Sequence, residues 1–236
     1  MKYVRRTFAI AVIVMGIMVP MKIASSQGLP PGQLPTLTAE WWQWAFSIPA
    51  SLDQSINTNP LFDNNGADCM VGQRGSVWFL AGNLTGASAP ITRTCSVPGD
   101  KTLFFPVINA SFFNSPNQCG QGSESFTVSQ MRQAVKEFID SASDIMVIVD
   151  GSNVKKTLLR RVQSDVFDIA VPTNNLYKAL GIPCDAGVYS PTVDDGYYVA
   201  LGPLAAGNHT IEFHAAAGTF AQTFTYNLTV VPVALK

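Results

Sequence analysis

The most regular alternation of apolar and polar positions lies at the C-terminus. His209, Ile211 and Phe213 alternate with Thr210, Glu212 and His214, and Phe220, Gln222, Phe224, Tyr226, Leu228 and Val230 then share one side of a long segment. A period of two sets one face of a strand on a core and the other in solvent. Three continuously apolar runs come earlier. They are Val77-Trp78-Phe79-Leu80-Ala81 between Gly75 and Gly82, residues 103–108 broken by Pro106, and residues 145–149 followed by Asp150-Gly151. Runs of this length suit strands covered on both faces, and Asp-Gly is a strong hairpin-turn pair.

Two stretches have helical spacing instead. Leu37, Trp41, Trp44, Ala45 and Ile48 recur at the 3, 4 and 7 intervals of one helical face, with Thr38 as N-cap and Pro49 as stop. That spacing predicts Trp41 and Trp44 in the core and leaves Trp42, about 100° away, as the odd member. Further on, Thr127 and Gln130 make a capping box ahead of an apolar stripe of Met131, Val135, Phe138 and Ile139, which predicts a helix over about 127–141. Residues 27–36, with Gly28, Pro30, Pro31, Gly32 and Pro35, read as an extended polyproline-like leader. Many short strands, Gly/Pro-rich turns and two helices predict a mainly β fold. The expected architecture is one antiparallel β-sandwich domain over 37–236, jelly-roll or immunoglobulin-like, with the second helix inserted.

The first 26 residues have a different character. Lys2, Arg5 and Arg6 precede 13 uncharged residues, 8–20, and the small residues Ala24-Ser25-Ser26 follow. A basic start, a short apolar stretch and a small-residue cleavage site define a secretory signal peptide, with Gln27 as the first mature residue. A membrane-spanning helix needs about 20 apolar residues, and Pro20 and Lys22 close this run early. Arg5-Arg6-Thr7-Phe8 also has the form of a twin-arginine signal.

Export changes the charge. Loss of Lys2, Arg5, Arg6 and Lys22 from 15 basic residues leaves 11 against 16 acidic ones, a net charge of −5. A mildly acidic chain has no general attraction for nucleic acid or an anionic membrane. The one basic cluster, Lys155, Lys156, Arg160 and Arg161, fits a solvated strand face. All four cysteines, Cys69, Cys95, Cys119 and Cys184, lie in the mature part, and none forms a CxxC pair. An even count in an oxidising compartment predicts two disulfides. Of the three pairings, Cys69–Cys95 and Cys119–Cys184 join near neighbours in sequence and are the expected ones.

Several of these segments together support a comparison. Glu40-Trp41-Trp42-Gln43-Trp44, Asn59-Pro60 with Asp63, the run 77–82, Arg93-Thr94-Cys95 and Leu103-Phe104-Phe105-Pro106 with Asn109 appear in that order. Asp195-Gly196-Tyr197, Pro203-Leu204 and Gly207-Asn208-His209-Thr210-Ile211 follow. The set covers about two thirds of the mature chain and resembles a group of uncharacterised exported bacterial proteins. It departs from that group at Pro98-Gly99-Asp100-Lys101, where the glycine would stand directly before the lysine. The resemblance implies a bacterial origin and export, and no activity.

Chemistry is sparse. There is no GxSxG nucleophile elbow, no Walker lysine loop and no GxGxxG fingerprint. Paired cysteines are not nucleophiles, and His209 and His214, five apart in one strand region, face opposite sides. Two carboxylates at a set separation suffice for glycoside hydrolysis, and the glutamates available are Glu40, Glu124, Glu137 and Glu212. Asp63, Asn65 and Asp68 put three hard oxygen donors on a tight turn beside Cys69, the composition of a calcium loop as well as of an ordinary turn. Asp194 and Asp195 suggest a second acidic turn. Asn-x-Ser/Thr sequons at Asn83, Asn109, Asn208 and Asn227 carry no meaning in a bacterial chain. The leading expectation is a non-catalytic secreted or cell-envelope protein that binds carbohydrate or another envelope protein. A secreted hydrolase using paired carboxylates and a self-assembling envelope component are the alternatives.

Overall fold

The computed structural model describes residues 29–86 and 89–233. The expected signal peptide lies outside them. Among the described residues, ten strands form two five-stranded sheets. The first contains β1 (Val77–Phe79), β3 (Thr102–Phe113), β8 (Gly187–Leu201) and β6 (Leu159–Gln163) in that order, with β7 (Phe167–Val171) pairing a different stretch of β8. The second runs β2 (Ile91–Pro98), β10 (Phe220–Val231), β9 (Gly207–Ala217), β4 (Ala142–Val149) and β5 (Ser152–Asn153).

The sheets face each other over a shared core in which Phe105, Val107 and Val199 of the first meet Ile211, Phe213 and Phe224 of the second. Phe105 stacks on Phe213 at 5.3 Å. The β9–β10 hairpin follows the predicted alternation, since Ile211, Phe213, Phe224, Tyr226 and Leu228 are all buried. The chain is therefore mainly β and sandwich-like, but its sheets are mixed rather than antiparallel: β1 runs parallel to β3, and β2 parallel to β10.

Helix α1 (Leu34–Ser47) covers the outer face of the first sheet, where Trp41, Trp42 and Phe46 join Phe104, Ile169 and Tyr198 in a second apolar layer. Helix α2 (Val128–Asp140) carries the expected capping box at Thr127 and Gln130, and it buries Met131 and Val135 against Val193. A single-turn helix, α3 (Leu176–Ala179), has no counterpart among the predicted elements.

Four local expectations need correction. The leader, from Leu29 on, is not extended: Pro31–Gln33 is a 3₁₀ turn leading into α1, and Thr38 lies inside that helix rather than at its start. Pro35 fits there because the first-turn N–H groups have no helical acceptor in any case. Pro106 does not end its strand. The β3–β8 register shifts between Pro106 and Ile108, and this bulge accommodates a residue without an N–H while β3 continues to Phe113. The 77–81 run is an edge strand of three residues, with Val77 and Phe79 only half-buried. Asp194 and Asp195 are not in a turn but in the middle of β8, and both are fully buried.

Candidate functional site

A concavity of about 850 Å³ runs along α1 and the segment that leads into β1. Glu40, Gln43, Trp44 and Ser47 supply one wall, and their i, i+3, i+4, i+7 spacing places them on one helical face. Arg74, Ser76, Val77 and Phe79 supply the other. The Trp44 indole donates to the Val71 carbonyl at 2.9 Å, and its ring lies 5.4 Å from that of Phe79, so the floor is aromatic and fixed. Glu40, Gln43 and Arg74 are exposed on the rim, and neither Glu40 nor Arg74 forms a salt bridge with a described residue.

The cleft also borders the open edge of the first sheet. The carboxamide of Gln73 closes most of that edge. Its Oε1 accepts from the Phe79 N–H at 2.9 Å, and its Nε2 donates to the Phe79 carbonyl at 2.8 Å. A side-chain amide thus substitutes for the next strand, one of the ways an edge is kept from pairing with another chain. On the opposite edge, Gln43 Nε2 donates to the Asp168 carbonyl of β7.

The calcium-type turn has a different occupation. Asp63 is buried, its Oδ1 accepts the Asn65 and Gly66 N–H groups at 2.9 and 2.8 Å, and its Oδ2 accepts that of Asp68. Asn65 Oδ1 accepts from Ala67, and Asp68 Oδ2 from Asn57 Nδ2. Burial, with the nearby Asp63 charge, raises the Asp68 pKa. The three oxygen donors are thus engaged in knitting the turn itself. What the turn does is cover the edge of β2: the Thr94 N–H donates to the Asn65 carbonyl, and the Cys69–Cys95 disulfide fastens the two together. Gly66, at φ +98°, sits so close to β2 that a Cβ would lie 2.4 Å from the Thr94 carbonyl oxygen. Among the described residues no group of three or more His, Cys, Asp or Glu side chains is placed to hold a metal ion.

The second bridge is Cys119–Cys184, so both pairings are the expected ones and no described cysteine is free. His209 and His214 are separated as expected. The former contacts Asp150 Oδ2 and the Ala205 carbonyl, the latter Thr223 Oγ1. Of the basic cluster, Arg161 is not merely solvated: it pairs with the buried Asp195 at 2.9 Å and with Asp140 at 2.7 Å. Trp42, expected off the core, is buried alongside Trp41 and Trp44 because the β8 face lies beneath it.

Two buried polar centres had no signal in the sequence. Arg93 is wholly enclosed, donating to the carbonyls of Asp63, Ala81 and Gly82 and to the Tyr226 hydroxyl, with its guanidinium 4.7 Å from the Phe224 ring centre. Asp194 accepts at Oδ1 from Trp42 Nε1 and the Tyr198 hydroxyl, both at 2.7 Å, and Asn109 Nδ2 donates to that hydroxyl. Burial raises the Asp194 pKa to about 8 against the donors Trp42, Tyr198 and Thr38, and adjacent Asp195 adds to the rise. This carboxyl is enclosed beneath α1, away from the open cleft. The cleft residues Glu40, Gln43 and Arg74 had one legible sign, the polar stripe of α1 at Glu40, Gln43 and Ser47. Arg74 had none.

Fold and site together define a disulfide-bearing β-sandwich with helices on both faces of one sheet and an open, mixed-polarity cleft. No family model, curated protein or solved structure matches the chain. No described helix is long and apolar enough to cross a membrane.

Proposed function

We propose that this is an exported, non-catalytic binding protein of the bacterial envelope, and that the cleft beside α1 holds an oligosaccharide segment. One observation carries the proposal: the 850 Å³ cleft combines an aromatic floor with a carboxylate, a carboxamide and a guanidinium on its rim. Planar polar groups of these three kinds bridge adjacent sugar hydroxyls, while the apolar floor meets the C–H face of a ring. Glu40 is the single acid among the lining residues. Hydrolysis by paired carboxylates needs a second acid roughly 5–10 Å away, which favours binding over cleavage. Two disulfides, the basic and apolar N-terminus and the resemblance to exported bacterial proteins support the location.

Titration calorimetry against a panel of cell-wall and capsular oligosaccharides tests this, using the mature chain and the variants Gln43→Ala, Arg74→Ala and Glu40→Gln. Each variant should lose affinity for the same sugar, with the melting temperature kept in Arg74→Ala and Glu40→Gln and slightly lowered in Gln43→Ala, which also loses the bond to the Asp168 carbonyl. Turnover of that sugar, or affinity unchanged in all three variants, overturns the proposal.

A further inference from the structure

A second cavity, about 330 Å³, lies at the other end of the first sheet, between the end of β3 and the loop over 114–126. Phe112, Phe113, Phe126 and Tyr177 line it, together with Ser111 and Gln121, and no Asp, Glu, Lys, Arg or His does. The rings are mutually tilted: Phe112 and Phe126 meet at 51° and 5.2 Å, Phe113 and Tyr177 edge-on at 87° and 5.5 Å.

The loop that forms one wall of this pocket is rigid by construction. Asn114 Oδ1 accepts from Gln121 Nε2 and the Phe126 N–H, and Gln121 Oε1 accepts from the Ser115 N–H and hydroxyl. Cys119 is fastened twice to the 183–184 segment, through its disulfide to Cys184 and its N–H to the Pro183 carbonyl. The wall is therefore formed before any ligand arrives, which lowers the ordering cost of binding. The space is open to solvent on one side, and about 330 Å³ admits a molecule of one or two rings seated against these side chains.

We propose that this cavity is a binding site for a small, uncharged, planar aromatic molecule of one or two fused rings. An uncharged ligand fits because the lining offers no ionic partner. A planar aromatic fits because tilted and edge-on rings give it offset and edge contacts, the favoured arrangements of aromatic pairs. The Tyr177 hydroxyl makes no hydrogen bond to a described residue, and burial raises its pKa to about 12, so it stays neutral. A ligand acceptor can use it. The site is independent of the sugar-binding cleft and shares no residue with it.

Indole serves as the probe, with hexanol and indole-3-acetate as the aliphatic and charged controls. Gly122 lines the pocket, a Cβ there meets nothing within 4 Å, and its φ is not left-handed, so Gly122→Leu adds bulk at the pocket's rim without disturbing the fold. Calorimetry should show saturable binding of indole, tighter than either control. Affinity should fall by about tenfold or more in Gly122→Leu, at an unchanged melting temperature, and stay unchanged in Arg74→Ala. Absence of saturable indole binding, equal affinity in Gly122→Leu, or tighter binding of hexanol or indole-3-acetate overturns the assignment.

Discussion

The indole nitrogen of Trp42 donates a 2.7 Å hydrogen bond to Oδ1 of Asp194, tying α1 to the middle of β8 across 152 residues of chain. Asp194 stands where β8 exchanges partners, between the stretch paired to β6 and the stretch paired to β7. Ser164 spans that break, donating its N–H to the Asp194 carbonyl and accepting the Asp194 N–H at its hydroxyl. The bond therefore holds the helix to the sheet at the break between β6 and β7, while β3 stays paired with β8 on the other side.

Stability should fall as pH rises because of Asp194. Its folded pKa, about 8, lies above the unfolded value of roughly 3.9. Below about 4 both states are protonated and the contribution is complete. Between there and about 8 the unfolded chain ionises more readily, and the contribution is progressively lost. His209 acts with the same sign: burial opposes its charge, but Asp150 and the Ala205 carbonyl outweigh that and raise its pKa. Urea midpoints from pH 5 to pH 9 should therefore decline in the native chain and decline less in Asp194→Asn. Coincident slopes would remove Asp194 from this account.

All three helix tryptophans should behave as core. Trp41→Ala, Trp42→Ala and Trp44→Ala should each cost roughly 3–5 kcal/mol in chemical denaturation. Trp42→Phe keeps most of the buried area but leaves Asp194 one donor short, so it should cost about 1–3 kcal/mol. A Trp42→Ala variant as stable as the parent would show that its burial adds nothing.

Removing each disulfide should destabilise by an amount set by the loop it closes. Separations of 26 and 65 residues correspond to about 3.5 and about 4 kcal/mol in the chain-entropy account. Paired Cys→Ala variants, compared by urea unfolding, measure both. Loss of Cys69–Cys95 should also free the 63–69 turn from the β2 edge, seen as faster amide exchange at Thr94.

Calcium should leave the protein's melting temperature unchanged, because the Asp63 oxygens already accept three backbone N–H groups. Asp63→Ala strands those donors and should cost about 1–3 kcal/mol. A melting temperature that climbs with millimolar calcium and drops with chelator would restore the turn to a metal-binding role.

Local signals in the chain sufficed for the elements whose pattern is repeated and whose ends are marked. The β9–β10 alternation, the capped stripe of α2, the Trp41 and Trp44 face of α1 and both cysteine pairings could be read without a structure. In the first three cases neighbouring residues alone specify the outcome, and the pairings follow from joining the cysteines in chain order, first to second and third to fourth. Tertiary structure decided the rest, because it depends on which surfaces meet. Trp42 is core only because β8 lies under α1, and Asp194 and Asp195 look like turn residues until their strand is buried on both sides. Parallel pairing of β1 with β3 and of β2 with β10 leaves no local mark, since a parallel partner can lie anywhere in the chain. The Asp63 turn has the composition of a metal loop, but packing against the β2 edge directs its oxygens to backbone donors. Both cavities belong to this second class, for each is walled by segments far apart in sequence.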